Sequence, residues 1–195
     1  MLINVLAMLL AGAPQASQSA PSSTAVAPAA TSALPAPERR QELLFEAARL
    51  GRIDMIEALL KAGAQIDGAD KRGFTPLILA AYNGQMAAVD ALLAAGADAC
   101  KADTGQGNTA LMGVAFKGDD AIAARLLQEK CDVNARNKAG QTALMMAALF
   151  GRTAQIEMLL KAGADRTLAD ATGRTAASVA AAQGNTALAE TLTAR

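Results

Sequence analysis

Four groupings in this sequence contain residue types on which chemistry could run. The stretch GQGNTA, Gly105 to Ala110, satisfies a loose G-x-G-x-x-A pattern, in which glycines let a backbone approach a dinucleotide pyrophosphate. Asp119 and Asp120 are adjacent carboxylates, the material of general acid and base work when a further acid faces them. Met145 and Met146 form a thioether pair with affinity for soft metals. Cys100 and Cys131 are the two thiols of the chain. Histidine is absent, which removes the commonest general base, the usual nucleophilic triads and most zinc sites.

Whether any grouping acts depends on the elements that carry it. The 195 residues suffice for one domain with a sizeable core, and 52% hydrophobic residues exclude a wholly disordered chain. Aromatics are only 3% and tryptophan is absent, so that core is expected to be closely packed alanine and leucine. The 18 basic and 18 acidic side chains balance, so bulk charge gives no reason to expect nucleic acid or a strongly anionic membrane as partner.

All of these charges lie from Glu38 onward. The opening run MLINVLAMLLAGA is shorter than the ~20 apolar residues of a membrane-spanning helix and fits the apolar region of an export signal better. Ala11 and Ala13 have the small-residue spacing of a cleavage site, but Pro14 follows them and the start lacks Lys or Arg. Cleavage a few residues later, within PQASQSA, or a start codon at another position would repair these departures, against the alternative of an uncleaved apolar tail. Residues 1–20 are read as the signal, with no cysteine close behind them to carry a lipid. Residues 21–37, rich in Ala, Pro, Ser and Thr and free of charge, are read as a disordered linker. The expected location is periplasmic or secreted, without stable membrane insertion after export.

From Glu38 the chain repeats itself. Thr75, Thr109, Thr142 and Thr175 recur at intervals of 34, 33 and 33, and Gly51, Gly84, Gly118, Gly151 and Gly184 keep the same step. Leucine pairs stand between them: Leu59 with Leu60, Leu92 with Leu93, Leu126 with Leu127, Leu159 with Leu160. A period near 33 means one supersecondary unit stacked on copies of itself. Within the unit starting at Asp70, Gly73 marks a turn, Thr75 caps a short helix, and Pro76 fills its first position. Leu77, Ala80 and Ala81 make an apolar stripe and Gly84 ends the helix. A second helix from Gln85 presents Val89, Leu92 and Leu93 before Gly96. Neither helix is long enough to stand alone, so neighbours must bury the faces of both.

The frame D-x-x-G-x-T-P-L, A-A-x-x-G, L-L-x-x-G-A-D resembles the ankyrin repeat. DKRGFTPLILAAYNG, Asp70 to Gly84, follows it almost letter for letter, with Ile78 where the family usually has histidine. The resemblance covers 38–195 as five repeats, 38–69, 70–102, 103–136, 137–169 and 170–195, the first and last departing from the frame as terminal caps. It implies an all-α fold, an α-solenoid of helix-turn-helix units. It also implies a monomeric, non-enzymatic module that binds a protein partner through its concave face and hairpin tips, without cofactor, metal or nucleic acid. The alternative is a stabilising or inhibitory companion of one exported enzyme. An enzyme with an unrecognised site is the least expected.

Set in this frame, the candidate chemistry recedes. No strand or βαβ unit is expected before GQGNTA, so the run reads as a hairpin tip with one inserted residue. Asp119 and Asp120 start a second helix, where negative charge complements the helix dipole. Met112 holds the column of Met145, so methionine is expected to fill core gaps. Cys131 replaces the Ala of a G-A-D corner, and Cys100 lies three residues beyond the previous corner at Ala97. The resemblance stacks those loops side by side, leaving two readings open: a disulfide in an oxidising compartment, or two small buried hydrophobes.

Partner contacts in the family fall on hairpin tips and on the end of the first helix. Carried onto this sequence, the tip positions are Lys71, Arg72, Phe74, Gln106, Asn108, Lys138, Gln141 and Arg174. The helix positions are Tyr82, Asn83, Phe116, Lys117, Leu149 and Phe150, with Arg49 and Leu50 in the first repeat. Four of the five aromatic residues of the chain are among them, rimmed by Arg, Lys and Asn in the manner of an interface hot spot. The competing expectation is that Tyr82 and Phe116 simply pack between repeats.

Overall fold

Threonine hydroxyls start four of the helices. In the computed structural model, which describes residues 35–193, Thr75, Thr109, Thr142 and Thr175 accept hydrogen bonds from the amides of Ile78, Met112, Met145 and Ser178 at 3.2, 3.3, 3.3 and 3.3 Å. These caps open α3 (Pro76–Tyr82), α5 (Ala110–Lys117), α7 (Ala143–Leu149) and α9 (Ala176–Ala182). The other helices are α1 (Pro37–Leu50), α2 (Ile53–Lys61), α4 (Met86–Ala94), α6 (Asp120–Leu126), α8 (Thr153–Lys161) and α10 (Thr186–Thr193). The described residues contain no strand. The expected signal at 1–20 and most of the linker lie outside them.

First helices pack in the series α1, α3, α5, α7, α9; second helices follow behind as α2, α4, α6, α8, and each pair closes on itself. The result is an all-α solenoid. Its core is small-residue and leucine packing, with Ala48, Ala80, Ala81, Ala147 and Ala180 at 0 to 1% exposure and Leu44, Leu77, Leu92 and Leu144 equally covered. Alanine lets neighbouring first helices approach closely, which is why few aromatics suffice.

One boundary differs from the sequence reading. Helix α1 begins at Pro37, inside the segment assigned to the linker, because proline suits the first turn of a helix, where its missing N–H costs nothing.

The ends of the second helices show what glycine contributes. After α2, α4 and α8, Gly63, Gly96 and Gly163 adopt φ of 93, 93 and 91°, and the next amide returns to the chain five residues back at 2.9 Å. After α6 the equivalent residue is Lys130, for which a left-handed backbone is unfavourable. The Cys131 amide bonds instead to the Glu129 carbonyl at 2.9 Å, and α6 stops at Leu126, two residues short of the place where α4 ends.

Turns between repeats are built on a buried or half-buried acid or amide. Asp70 Oδ1 accepts from the amides of Arg72 and Phe74 at 2.8 and 2.9 Å. Asn137 does the same for Ala139 and Gln141, and Asp170 for Thr172 and Arg174. Adjacent tips are joined by backbone hydrogen bonds from Thr104 to Gly73, Lys138 to Gln106 and Ala171 to Ala139, at 3.1, 2.9 and 2.9 Å.

Candidate functional site

The short first helices bring aromatic side chains from successive repeats to one edge. Tyr82 and Phe116 stand in the last turns of their helices, two residues before Gly84 and Gly118, while Phe150 stands one residue before Gly151. Despite that one-residue offset the three rings form a ladder. Tyr82 and Phe116 stack with centroids 6.1 Å apart and planes 26° apart; Phe116 meets Phe150 edge-on at 4.6 Å and 68°. They are nevertheless 41, 41 and 40% exposed, so the rings pack on one another without being covered. Phe74 differs, being half-buried and packed against the core.

Three cations lie over rings of this surface. The Arg72 guanidinium lies 4.7 Å from the Phe74 ring centre, Lys117 Nζ 5.0 Å from Tyr82, and the Arg152 guanidinium 6.0 Å from Phe150. Arg152 also donates to the Phe116 carbonyl at 3.4 Å, tying the second helix of one repeat to the first of the repeat before.

Between Phe74, Tyr82 and Phe116 the surface opens into a groove of about 520 Å³. Its floor has Leu79, Met112, Gly113 and Met146. Leu79, Gly113 and Met146 occupy one column, four residues after the capping threonine of their repeats, so Gly113 is the missing side chain that gives the groove its depth. A glycine inside a helix costs up to about 1 kcal/mol relative to alanine.

The residues expected at the interface divide into three groups. Arg72, Phe74, Tyr82, Asn83, Asn108 and Phe116 line the groove, together with Arg49. Lys117 lies over Tyr82 and Phe150 against Phe116, Leu149 is half-buried, and Lys71 lines an adjoining depression that shares Arg49 and Arg72 with the groove and includes Arg39, Glu42 and Glu46. Of the rest, Gln141, Lys138 and Arg174 are engaged within the turns, as the side chain of Asn108 also is. Asn137 Nδ2 donates to Asn108 Oδ1 and Gln141 Oε1 at 2.9 and 3.1 Å, and Lys138 Nζ to the carbonyls of Thr104 and Gly105 at 2.8 and 2.5 Å. Arg174 holds Asp170 through two hydrogen bonds of 3.0 and 2.8 Å, and Gln106 is exposed at its tip. Two contributors are not legible from the repeat columns: Arg152, which immediately precedes α8 in the turn between the two helices of its repeat, and Gly113, whose contribution is an absence of atoms.

The other groupings take structural roles. In GQGNTA the amides of Gln106, Gly107 and Asn108 converge on the carboxylate of Asp103 at 2.6, 3.1 and 2.8 Å. The chain's own anion fills the cradle a phosphate would need. Gly107, with φ 76°, keeps the turn conformation of Gly73 across the inserted residue. Asp119 Oδ1 caps α6 through the Ile122 amide at 3.0 Å. Met112 and Met145 are buried in the core and Met146 faces the groove. Cys100 and Cys131 are joined in a disulfide with Cα atoms 5.2 Å apart.

Among the described residues no three His, Cys, Asp or Glu side chains group to hold a metal, and no helix is long and apolar enough to cross a membrane. The family model for ankyrin repeats, in three copies, matches residues 26–103 and 111–195. No curated protein matches the chain.

Proposed function

Because this chain belongs to the ankyrin-repeat family, whose repeats are generally protein–protein interaction modules and typically non-enzymatic, we propose that it binds a partner protein through the aromatic groove of its second to fourth repeats. The observation that carries the reading is the half-exposed ladder of Tyr82, Phe116 and Phe150 beside a groove whose lining includes Arg49 and Arg72. Aromatic rings held by one another and by a stacked scaffold lose little freedom on binding, so their buried area converts efficiently to affinity. The chain acts as a preorganised platform in which the frame residues supply rigidity and the edited residues supply specificity.

We place this activity outside the cytoplasm. The apolar, charge-free start and the Cys100–Cys131 bridge both support export to an oxidising compartment. The test of binding is capture of partners by the wild-type chain and by a Phe74→Ala, Tyr82→Ala, Phe116→Ala, Phe150→Ala variant whose helicity is intact. Loss of the captured protein is expected; unchanged capture removes the groove from consideration. Cell fractionation with alkylation and mass spectrometry tests the location, where two free thiols in the native chain would count against it.

A further inference from the structure

Resting on that reading of the groove, we infer the kind of segment it takes: one bulky apolar side chain that inserts over Gly113, flanked in its own chain by carboxylates that meet Arg72, Lys117 and Arg152.

The inference comes from how a neutral chain distributes its charge. Between Asp70 and Arg152, the turns that precede the first helices carry two acids, Asp70 and Asp103, and α3, α5 and α7 carry none. Both are consumed by the turns, accepting from backbone amides. Asp119, beside Lys117, caps α6 through the Ile122 amide, and Asp120 is the exposed first residue of that helix, where its charge complements the helix dipole. Asp90 and Glu129 lie on the second-helix side, where both pair with Arg125 at 2.8 and 2.6 Å. Arg49, Arg72, Lys117 and Arg152 have no carboxylate partner among the described residues. Arg49 and Arg72 thus line the groove without a carboxylate partner, Lys117 and Arg152 stand over the rings beside it, and the acid in its lining, Asp103, is buried with its carboxylate turned to the amides of its own turn.

The shape complements the charge. Gly113 leaves space beside Tyr82, whose Cδ2 lies 3.5 Å from the point a Cβ on residue 113 would occupy. An apolar floor of Leu79, Met112 and Met146 suits a leucine, methionine or phenylalanine and offers a polar side chain no buried partner. The cations already lie over rings, so a carboxylate can engage them without their leaving the aromatic faces, and the charges steer encounter as well as hold register.

The experiment is selection of a random peptide library displayed on phage against the folded, oxidised chain, with affinities of the enriched peptides measured by fluorescence anisotropy. Enrichment of Asp or Glu on both sides of an aromatic or long aliphatic residue is expected. Binding should fall about tenfold in an Arg72→Glu, Lys117→Glu variant, and weaken with added salt. Gly113→Met should abolish it without changing charge; Met146 in the same column shows that the helix accepts the residue, and circular dichroism checks the fold. Peptides that need an open Gly113 but show no acidic preference overturn the inference and leave the groove as the binding site. Peptides indifferent to Gly113→Met and to the ladder alanines, or no enrichment at all, overturn both. A dimer in sedimentation that Gly113→Met dissolves would give the groove to a second copy and overturn the inference as well.

Discussion

Cys100 holds the place in its repeat that Asn134 holds in the following one, three residues past the corner position of Ala97 and Cys131, and both reach across to the next repeat. Asn134 Oδ1 accepts from the Asp165 amide at 2.8 Å, as Asp67 accepts from Asp98 at 3.1 Å; Cys100 makes a covalent bond to Cys131 instead. The disulfide therefore stands in for a recurring inter-repeat hydrogen bond. It does so at the junction whose corner lacks its left-handed glycine.

Reduction should accordingly destabilise the chain by about 3 to 4 kcal/mol, the chain-entropy value for a loop of this length. In a Cys100→Asn, Cys131→Ala variant the column regains its hydrogen-bond acceptor and the corner its alanine, recovering about 1 kcal/mol relative to the double alanine variant. Denaturant unfolding with and without reductant measures both. Equal midpoints for oxidised and reduced protein would show that the bridge adds nothing to stability.

Gln155 is 1% exposed in α8, and neither its amide nitrogen nor its amide oxygen has a hydrogen-bond partner. Its column holds Ile122 and Leu188 in neighbouring repeats, both buried. Gln155→Met keeps the length of the side chain and removes the desolvated amide, so a gain of about 1 to 2 kcal/mol is expected. A thermal midpoint that fails to rise would mean that the amide is satisfied in solution.

At Gly113 stability and function should move in opposite directions. Gly113→Ala places a methyl at ordinary contact distance from Tyr82 and improves helix propensity, stabilising α5 by up to about 1 kcal/mol. The same methyl shallows the groove. Calorimetry should show a higher midpoint and a titration of the captured partner a weaker affinity; tighter binding would contradict the role given to the groove.

Low pH should act through Asp170. The Thr172 hydroxyl first, then the Arg174 amide and guanidinium, hold its carboxyl well below the usual carboxylate range against the opposing effect of burial. Such a group is more acidic folded than unfolded, so its contribution is present above the unfolded value of about 4 and is lost as pH falls below it. Asp165 and Asp54, held down by Thr167 and Arg52, decline in the same direction. Midpoints should therefore be level near neutrality and drop in acid. Asp170→Asn should make that drop shallower, because Asn137 shows that an amide can organise the same turn.

The fold was legible because its determinants are local and recur. A threonine three residues before the amide it caps, or a glycine where a helix must stop, can be read from spacing alone. The site was legible only in outline. Tyr82 and Phe116 could be placed by column, but the contact of Phe116 with Phe150 crosses columns and depends on how two helix ends meet. Asn108 and Gln141 looked available because Asn137, which occupies them, lies in a turn whose hydrogen bonds have no signature in spacing. Lys130 announced a missing glycine, but not that α6 would end two residues early.

Helix pairs that touch only their neighbours are links in series, and a pull on the two ends would be felt by every link in turn. Each repeat that gives way pays out its length of chain. The bridge from Cys100 to Cys131 is a parallel path across one link, keeping the 31-residue separation between them, about 100 Å of extended chain, hidden from the load until it is reduced. Under tension the molecule would thus be shorter and stiffer oxidised than reduced, with the difference set by a single covalent bond.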